Sequence, residues 1–549
     1  MPTKHTKGHE SRRGILWCLF VCFVGLTLQS CAKHETDVTR GDRAQILYRS
    51  AGGDVADLDP HIVPGIAEGK VIAPLFEPLV GCDPAANPEP ALAERWEVSA
   101  DGLVYTFHLR PGLKWSNGEP LTAQNCVDSW RRILTPSLAA DYAYLFYIIK
   151  GAEAFHRGRQ PDFARVGLAA PDPLTLQVTL ERPVPYFLQL LPNTPWLPVN
   201  VRAIAAIGDP YRRGTPWTRP GRMVTSGPFL LKEWISSQRV IVAKSPLYWD
   251  QARVRLNEIH FSLADNEDVE ERAFRSGQRH VTEALAPSKI AAYRQQSPGL
   301  LRIDPYFNTF FLRFNTRRAP FTDPRVRQAL SLVIDRAALA DKILLGGQTP
   351  ATTFVHPLTP GYTPPEQPGR DVAAAQRLLA AAGFPGGRGL LPLTLTFANS
   401  NNFRLVAEAV QEMWRRDLGL QVQLVNREFK TLLDERRRGD FDILFSNWLG
   451  DYPDATPFLD LLRRDSGNNH TGWADPAYDA LLDEAARTLD PAARSALLRR
   501  AEALMLAAAP IAPLYFNTHV YLLQPSVKGW QPTLLDQLSY KHVWLEPTP

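Results

Sequence analysis

The chain has 549 residues, 45% of them hydrophobic and 21% charged, with 61 Lys and Arg against 57 Asp and Glu. That length exceeds what one hydrophobic core supports, so two or three compact units are expected, and the balanced charge with no basic stripe argues against nucleic acid as a partner. Downstream of residue 31 no apolar run reaches the roughly 18 residues needed to span a bilayer, so the body is expected to lie outside the membrane.

The N-terminus reads as an export signal. Lys4, Lys7, Arg12 and Arg13 precede the apolar run from Ile15 to Leu28, which ends in Leu28-Gln29-Ser30-Cys31. An apolar residue three places before a Cys, with a small residue just before it, is the pattern that lipoprotein processing selects, so residues 1–30 are expected to leave and Cys31 to carry lipid. Gln29 is an unusual choice at its place, and an ordinary secretory signal or a retained membrane helix is the alternative. Removing 1–30 takes away four basic residues and one acidic residue, leaving 57 against 56. Cys18 and Cys22 leave with the signal, so only Cys82 and Cys126 remain free to form a disulfide in an oxidising compartment. Residues 31–43 are polar and read as a tether.

Alternation of apolar and polar residues predicts strands at Leu103 to Leu109 and Leu174 to Leu180. Asp-Pro pairs at 323–324, 475–476 and 490–491 predict helix starts, with Asp as cap and Pro in the first turn. After the first, Val326, Ala329, Leu330, Val333 and Ile334 make one apolar stripe. From Leu393 to Leu449 the order is strand (393–398), helix (404–418), strand (420–426), helix (430–438) and strand (441–448), a βαβαβ unit implying a mostly parallel sheet. Ligands of such sheets lie beyond the carboxyl ends of strands, which points to Leu449-Gly450-Asp451-Tyr452-Pro453-Asp454.

Catalytic motifs are absent. There is no Gly-x-Ser-x-Gly elbow, no His-Glu-x-x-His helix and no CxxC pair, while Gly65 to Lys70 is one residue short of a phosphate loop and is followed by Val71 in place of Ser or Thr. His61, His108 and His260 stand singly, as structural histidines do. An enzyme is not expected, and neither is a metal or other cofactor.

From about Tyr48 onward the chain resembles family 5 extracellular solute-binding proteins, most closely the oligopeptide-binding proteins of ABC importers. The resemblance is carried by Leu58-Asp59-Pro60-His61, Leu75-Phe76-Glu77-Pro78-Leu79-Val80, Ala93-Glu94-Arg95-Trp96, Lys114 to Ala123, Val184-Pro185-Tyr186-Phe187, Tyr248-Trp249, and Pro320 to Leu330. It implies an α/β, two-lobed, three-domain hinged periplasmic-binding-protein fold of the large peptide-binding type, with mixed sheets flanked by helices. Domain I would comprise 44–77, 202–307 and 519–549, domain II 78–201, and domain III 308–518. The lobes would close on ligand by a hinge, and the importer's permease and ATPase would receive the closed form.

In those relatives an extended peptide pairs with a short segment after a domain III strand, and Asn447, Trp448 and Leu449 resemble that segment. Asp451 matches the acid that holds the peptide's α-ammonium. Tyr142 and Phe429 match cleft aromatics, with core packing as the alternative, and Arg436 and Arg404 match basic residues that meet peptide carboxyl ends, with a solvated helix end as the alternative for Arg436. Pro64 and Phe445 depart from the family, standing where an acidic and a basic residue line the cleft. The expected ligand is a short oligopeptide; dipeptides, nickel complexes, haem and oligosaccharides bind similar proteins, and a signalling or chaperone lipoprotein is a reading of another class. The expected place is the periplasm or outer cell surface, at a membrane through the lipid anchor.

Overall fold

The computed structural model describes residues 35–547 other than Pro64, Ala264 and Asp265. The expected signal sequence, the Cys31 lipidation site and Pro64 therefore lie outside the described residues. Among the described residues no helix is long and apolar enough to cross a membrane.

The tether reading of 31–43 needs correction from Asp37 on. Asp37–Ala44 is a helix, capped by the Thr36 side chain, which accepts from Thr39 N at 3.1 Å. What holds it is a buried polar pair, Asp42 with His280 Nε2 at 3.1 Å, and a close approach at Gly41, where a Cβ would meet the Ile46 carbonyl at 2.4 Å. A helix fixed in this way has no apolar stripe to announce it.

Three main sheets follow. Ile46–Ser50 pairs in parallel with Glu258–Ser262, which continues antiparallel to Arg239–Lys244 and Phe229–Ile235. The expected alternating strands are Val104–Leu109 and Thr175–Thr179, adjacent in an antiparallel sheet with Ala93–Val98 and Leu168–Asp172. A six-stranded sheet has the order Thr349–Pro350, Ile511–Leu522, Leu301–Phe314, Ile443–Leu449, Leu393–Ala398, Val422–Arg427.

The βαβαβ unit is present as Leu393–Ala398, Asn401–Leu418, Val422–Arg427, Phe429–Arg438 and Ile443–Leu449. Its strands are mutually parallel, but the sheet is mixed and not mostly parallel, because Leu301–Phe314 and Ile511–Leu522 join antiparallel to it. Those two long strands come from distant parts of the sequence, so no local period could place them. Asp323, Asp475 and Asp490 cap their helices as expected, and the stripe Val326 to Ile334 is buried.

Residues 79–196 build one core; Leu47 to Phe76 build another with residues 197–263 and with Tyr521, Tyr540 and Leu545 of the C-terminus. The six-stranded sheet carries a core on each face. Leu301–Phe314 and Ile511–Leu522 run together from the second of these cores into the six-stranded sheet, with a break in register between Pro305 and Thr309. Cys82 and Cys126 are both free thiols, and burial pushes each up to about 12.

Candidate functional site

The strand Ile443–Leu449 pairs along its length with Leu301–Phe314, but its other neighbour, Leu393–Ala398, is in register only at Ile443 and Leu444. Gly450 N–H donates to the Phe307 carbonyl at 2.9 Å. Backbone groups alternate sides along a strand, so Trp448 also faces that partner, while the N–H and C=O of Asn447 and Leu449 face the unpaired side. The segment therefore ends in an open strand edge, able to accept an added strand. Gly450 is required here: a Cβ would meet the Phe307 ring at 2.4 Å.

The residues after Gly450 are fastened down, with one exception. Asn193 Nδ2 donates to the Asp451 carbonyl at 3.1 Å, and Gln537 Nε2 to Asn193 Oδ1 at 2.9 Å. Tyr452 stacks on Tyr186 at 4.4 Å, and Arg494 holds Asp454 in a fork at 2.7 and 2.8 Å. The Asp451 carboxylate is the exception: among the described residues it makes no ion pair and no side-chain hydrogen bond. Its side chain is solvent-accessible and lies near Tyr142 and Tyr144, and desolvation by the surrounding protein pushes it up to about 6. Burial, followed by the charge of Asp451, raises both tyrosines, which stay neutral hydroxyls.

A cavity of about 560 Å³ adjoins Leu449 and is lined by residues distant in the chain, among them Lys70, Pro192, Tyr306 and Asp536. One wall is a charge network. Lys70 Nζ bonds Glu283 and lies 3.0 Å from Asp536 Oδ2, Arg49 reaches Glu283 at 3.2 Å, and His519 Nδ1 lies 3.1 Å from Asp536. His519 Nε2 is 2.6 Å from the Glu283 carbonyl. Both ring nitrogens thus face acceptors, which only the imidazolium satisfies; burial opposes that charge, but Asp536 and Glu283 outweigh it and raise the imidazole's pKa. Glu283, His519 and Asp536 have ligand atoms within 4.8 Å of one another, a metal-like grouping, but the Lys70 ammonium already bridges its two carboxylates.

The chain matches the family "Bacterial extracellular solute-binding proteins, family 5 Middle" over residues 87–470. It is a family 5 extracellular solute-binding protein. Periplasmic oligopeptide-binding protein OppA of Escherichia coli (strain K12) is 35% identical over 537 residues, 96% of each chain. Among solved structures, the murein tripeptide-binding protein MppA in its unliganded open form is similar with a TM-score of 0.80 and 33% identity, covering 91% of this chain and 97% of that one. Haemophilus influenzae OppA in complex with RPPGFSPFR gives 0.74 and 29%, covering 91% and 99%. The family's expected two-lobed fold with mixed sheets flanked by helices is the fold described above.

In this family 5 protein Asn447 is exposed, with Nδ2 3.4 Å from Asn308 Oδ1, and Trp448 is half-buried with its Nε1 buried and unpartnered. Tyr142 is brought close to Asp451, as its shifted hydroxyl records. Phe429 is 62% exposed at the start of its helix, and Arg436 is half-buried without an ion pair among the described residues. Arg404 is exposed and reaches Glu408 one turn away at 3.0 Å. Phe445 is 2% exposed and packs against Phe403 at 4.8 Å and Phe310 at 6.0 Å, so it belongs to the core of the sheet. Tyr144, Asn193 and the Lys70 network were not legible in the sequence. A Tyr-x-Tyr spacing after Asp141 was the one signal available for Tyr144.

Proposed function

We propose that this protein captures short peptides outside the cytoplasm and delivers them to the permease and ATPase of an ABC importer. The observation that carries the proposal is the unpaired Asp451 carboxylate beside the open edge of Asn447 and Leu449. A carboxylate without a cation, whose charged form the surrounding protein disfavours, is suited to an α-ammonium, and an edge strand offers a peptide backbone bonds that ignore its side chains. OppA and MppA, by their names, bind oligopeptides and murein peptides, which favours a peptide over a nickel complex, haem or sugar. Tyr142 would pack on the first peptide residue, and Trp448, Leu449 and Phe429 would line the cleft.

The lobes would close about the paired strands Leu301–Phe314 and Ile511–Leu522, near the register break. Domain I would comprise 37–77, 202–307 and 519–549, starting with the helix that begins at Asp37, with domain II at 78–201 and domain III at 308–518. Binding, not catalysis, is the activity. The mature chain is held at a membrane by lipid on Cys31 and works in the periplasm or at the outer cell surface; a Cys31→Ser chain that still takes up radiolabelled palmitate in cells would exclude that anchor.

The binding test is calorimetry with tri-alanine and its N-acetyl form. Asp451→Asn should weaken tri-alanine about ten- to a hundredfold, the worth of a charge-assisted bond, and leave the already weak acetylated form nearly unmoved. Equal weakening of both would remove the role assigned to Asp451. Mass spectrometry of ligands released on unfolding should give a set of unrelated short peptides.

A further inference from the structure

An asparagine just before a helix usually turns its side-chain oxygen to the first free N–H groups. Asn200 and Asn266 do so, accepting from Ala203 N and Val269 N. Asn193 stands at the same place before the helical turn Thr194–Trp196, but its side chain makes no capping bond. It reaches instead to a distant part of the chain, where its Nδ2 donates to the Asp451 carbonyl at 3.1 Å. Among the described residues this is the one hydrogen bond that Asp451 makes.

The direction of that bond fixes the groups behind it. A carbonyl only accepts, so Asn193 presents its NH2 to Asp451 and keeps Oδ1 for Gln537, whose Nε2 donates at 2.9 Å. Gln537 Oε1 then faces Cys82, whose Sγ donates at 3.8 Å and which burial keeps protonated. The four residues form one train of donors running a single way. Gln537 is itself pinned: its N–H donates to Thr533 Oγ1 at 3.2 Å, its carbonyl accepts from Thr533 N at 2.8 Å, and its neighbour Asp536 is held by Lys70 and His519.

The train also crosses the cleft. Cys82 and Asn193 fall in the proposed domain II and Gln537 in domain I, whereas Asp451 falls in domain III, so opening a hinge between the lobes would part Asn193 from Asp451. Gly450 and Tyr452 are held by other groups, Phe307 and Tyr186, but residue 451 is held by Asn193. A carboxylate with no side-chain partner takes its place from its backbone, and a binding group works when held to within about 0.5 Å. We propose that Asn193, oriented by Gln537, is a positioning residue of the amine site: it holds the Asp451 backbone from the opposite lobe, so the preference for a free amino terminus is complete only while the lobes are together. The inference rests on the peptide reading above.

It is tested on the mature protein with tri-alanine and N-acetyl tri-alanine, by calorimetry for affinity and stopped-flow tryptophan fluorescence for release. Asn193→Leu, of similar size, should weaken tri-alanine about two- to tenfold, chiefly through faster release, and leave the acetylated form nearly unmoved. Gln537→Leu should give a smaller loss of the same kind, and the double variant no more than Asn193→Leu alone, because both changes break one train. Equal weakening of the two peptides makes Asn193 a support of the fold and overturns the proposal, as do an unchanged affinity for tri-alanine and losses that add in the double variant. Should Asn193→Leu fail to fold, Gln537→Leu decides, since it leaves Asn193 in place but unoriented: a preference for tri-alanine equal to that of wild type overturns the proposal. If wild type binds neither peptide, the peptide reading fails and this inference with it; if wild type prefers tri-alanine and the variants match it, this inference alone fails.

Discussion

Lowering the pH from 7 to 5 should weaken peptide binding through a single group. Asp451 is pushed up to about 6 by the protein around it, and only its ionised form attracts an ammonium. In the free protein a proton therefore competes with the ligand for that carboxylate. With a pKa of about 6 the ionised fraction falls from roughly nine-tenths at pH 7 to roughly one-tenth at pH 5, so the apparent affinity should drop about tenfold. An Asp at its ordinary value would stay about 90% ionised or more over that range and give a flat profile. The peptide's own ammonium, near pKa 8, stays charged throughout. Calorimetry with tri-alanine at half-unit steps reads the curve, with N-acetyl tri-alanine and Asp451→Asn as flat references. A flat profile for tri-alanine, or the same slope for the acetylated peptide, would refute the argument that Asp451 is desolvated and bound to the amine.

Other expectations follow from the same geometry. Leu449→Pro removes an N–H that faces the open edge and leaves the pairing with Leu301–Phe314 in place, so it should weaken unrelated peptides alike, by about three- to tenfold, with an unchanged melting temperature. His519→Gln should cost about 1.5–3 kcal/mol in urea unfolding, the worth of charge-assisted bonds to Asp536 and the Glu283 carbonyl. Because the His519 pKa is raised by folding, that contribution is full below the ordinary histidine value and fades as pH rises through the raised one, so wild type and variant should converge at alkaline pH. Arg132→Met strands Asp59, which is 2% exposed and takes Arg132 Nη1 at 2.9 Å, and should cost about 3–5 kcal/mol in the same assay; a smaller loss would show that water reaches the site.

Local patterns carried much of this protein. Period-2 alternation placed Val104–Leu109 and Thr175–Thr179 to within a residue or two, Asp-Pro pairs placed three helix starts, and the βαβαβ order led to the loop after Trp448. Each is a signal written over a few neighbouring residues, because caps, alternation and strand–helix periods are properties of local backbone geometry. Composition argued for several units and against a polyanion partner for the same kind of reason.

What tertiary structure alone decided involves residues far apart in the chain. The strand Ile511–Leu522 lies beside Leu301–Phe314, which turns an expected parallel sheet into a mixed one, and Leu393–Ala398 leaves its neighbour after Leu444, which opens the edge at Asn447 and Leu449. Phe445 looks like a cleft position in order of sequence, but alternation turns it to the core face with Phe403 and Phe310. Arg404 has Glu408 one turn away, and Arg313 is an ordinary strand residue until its lack of any acid is seen. The sequence by itself determined the elements and the neighbourhood of Asp451. Whether that carboxylate is paired or free depends on which distant side chains come within a few ångströms of it, and that is settled only when the chain folds.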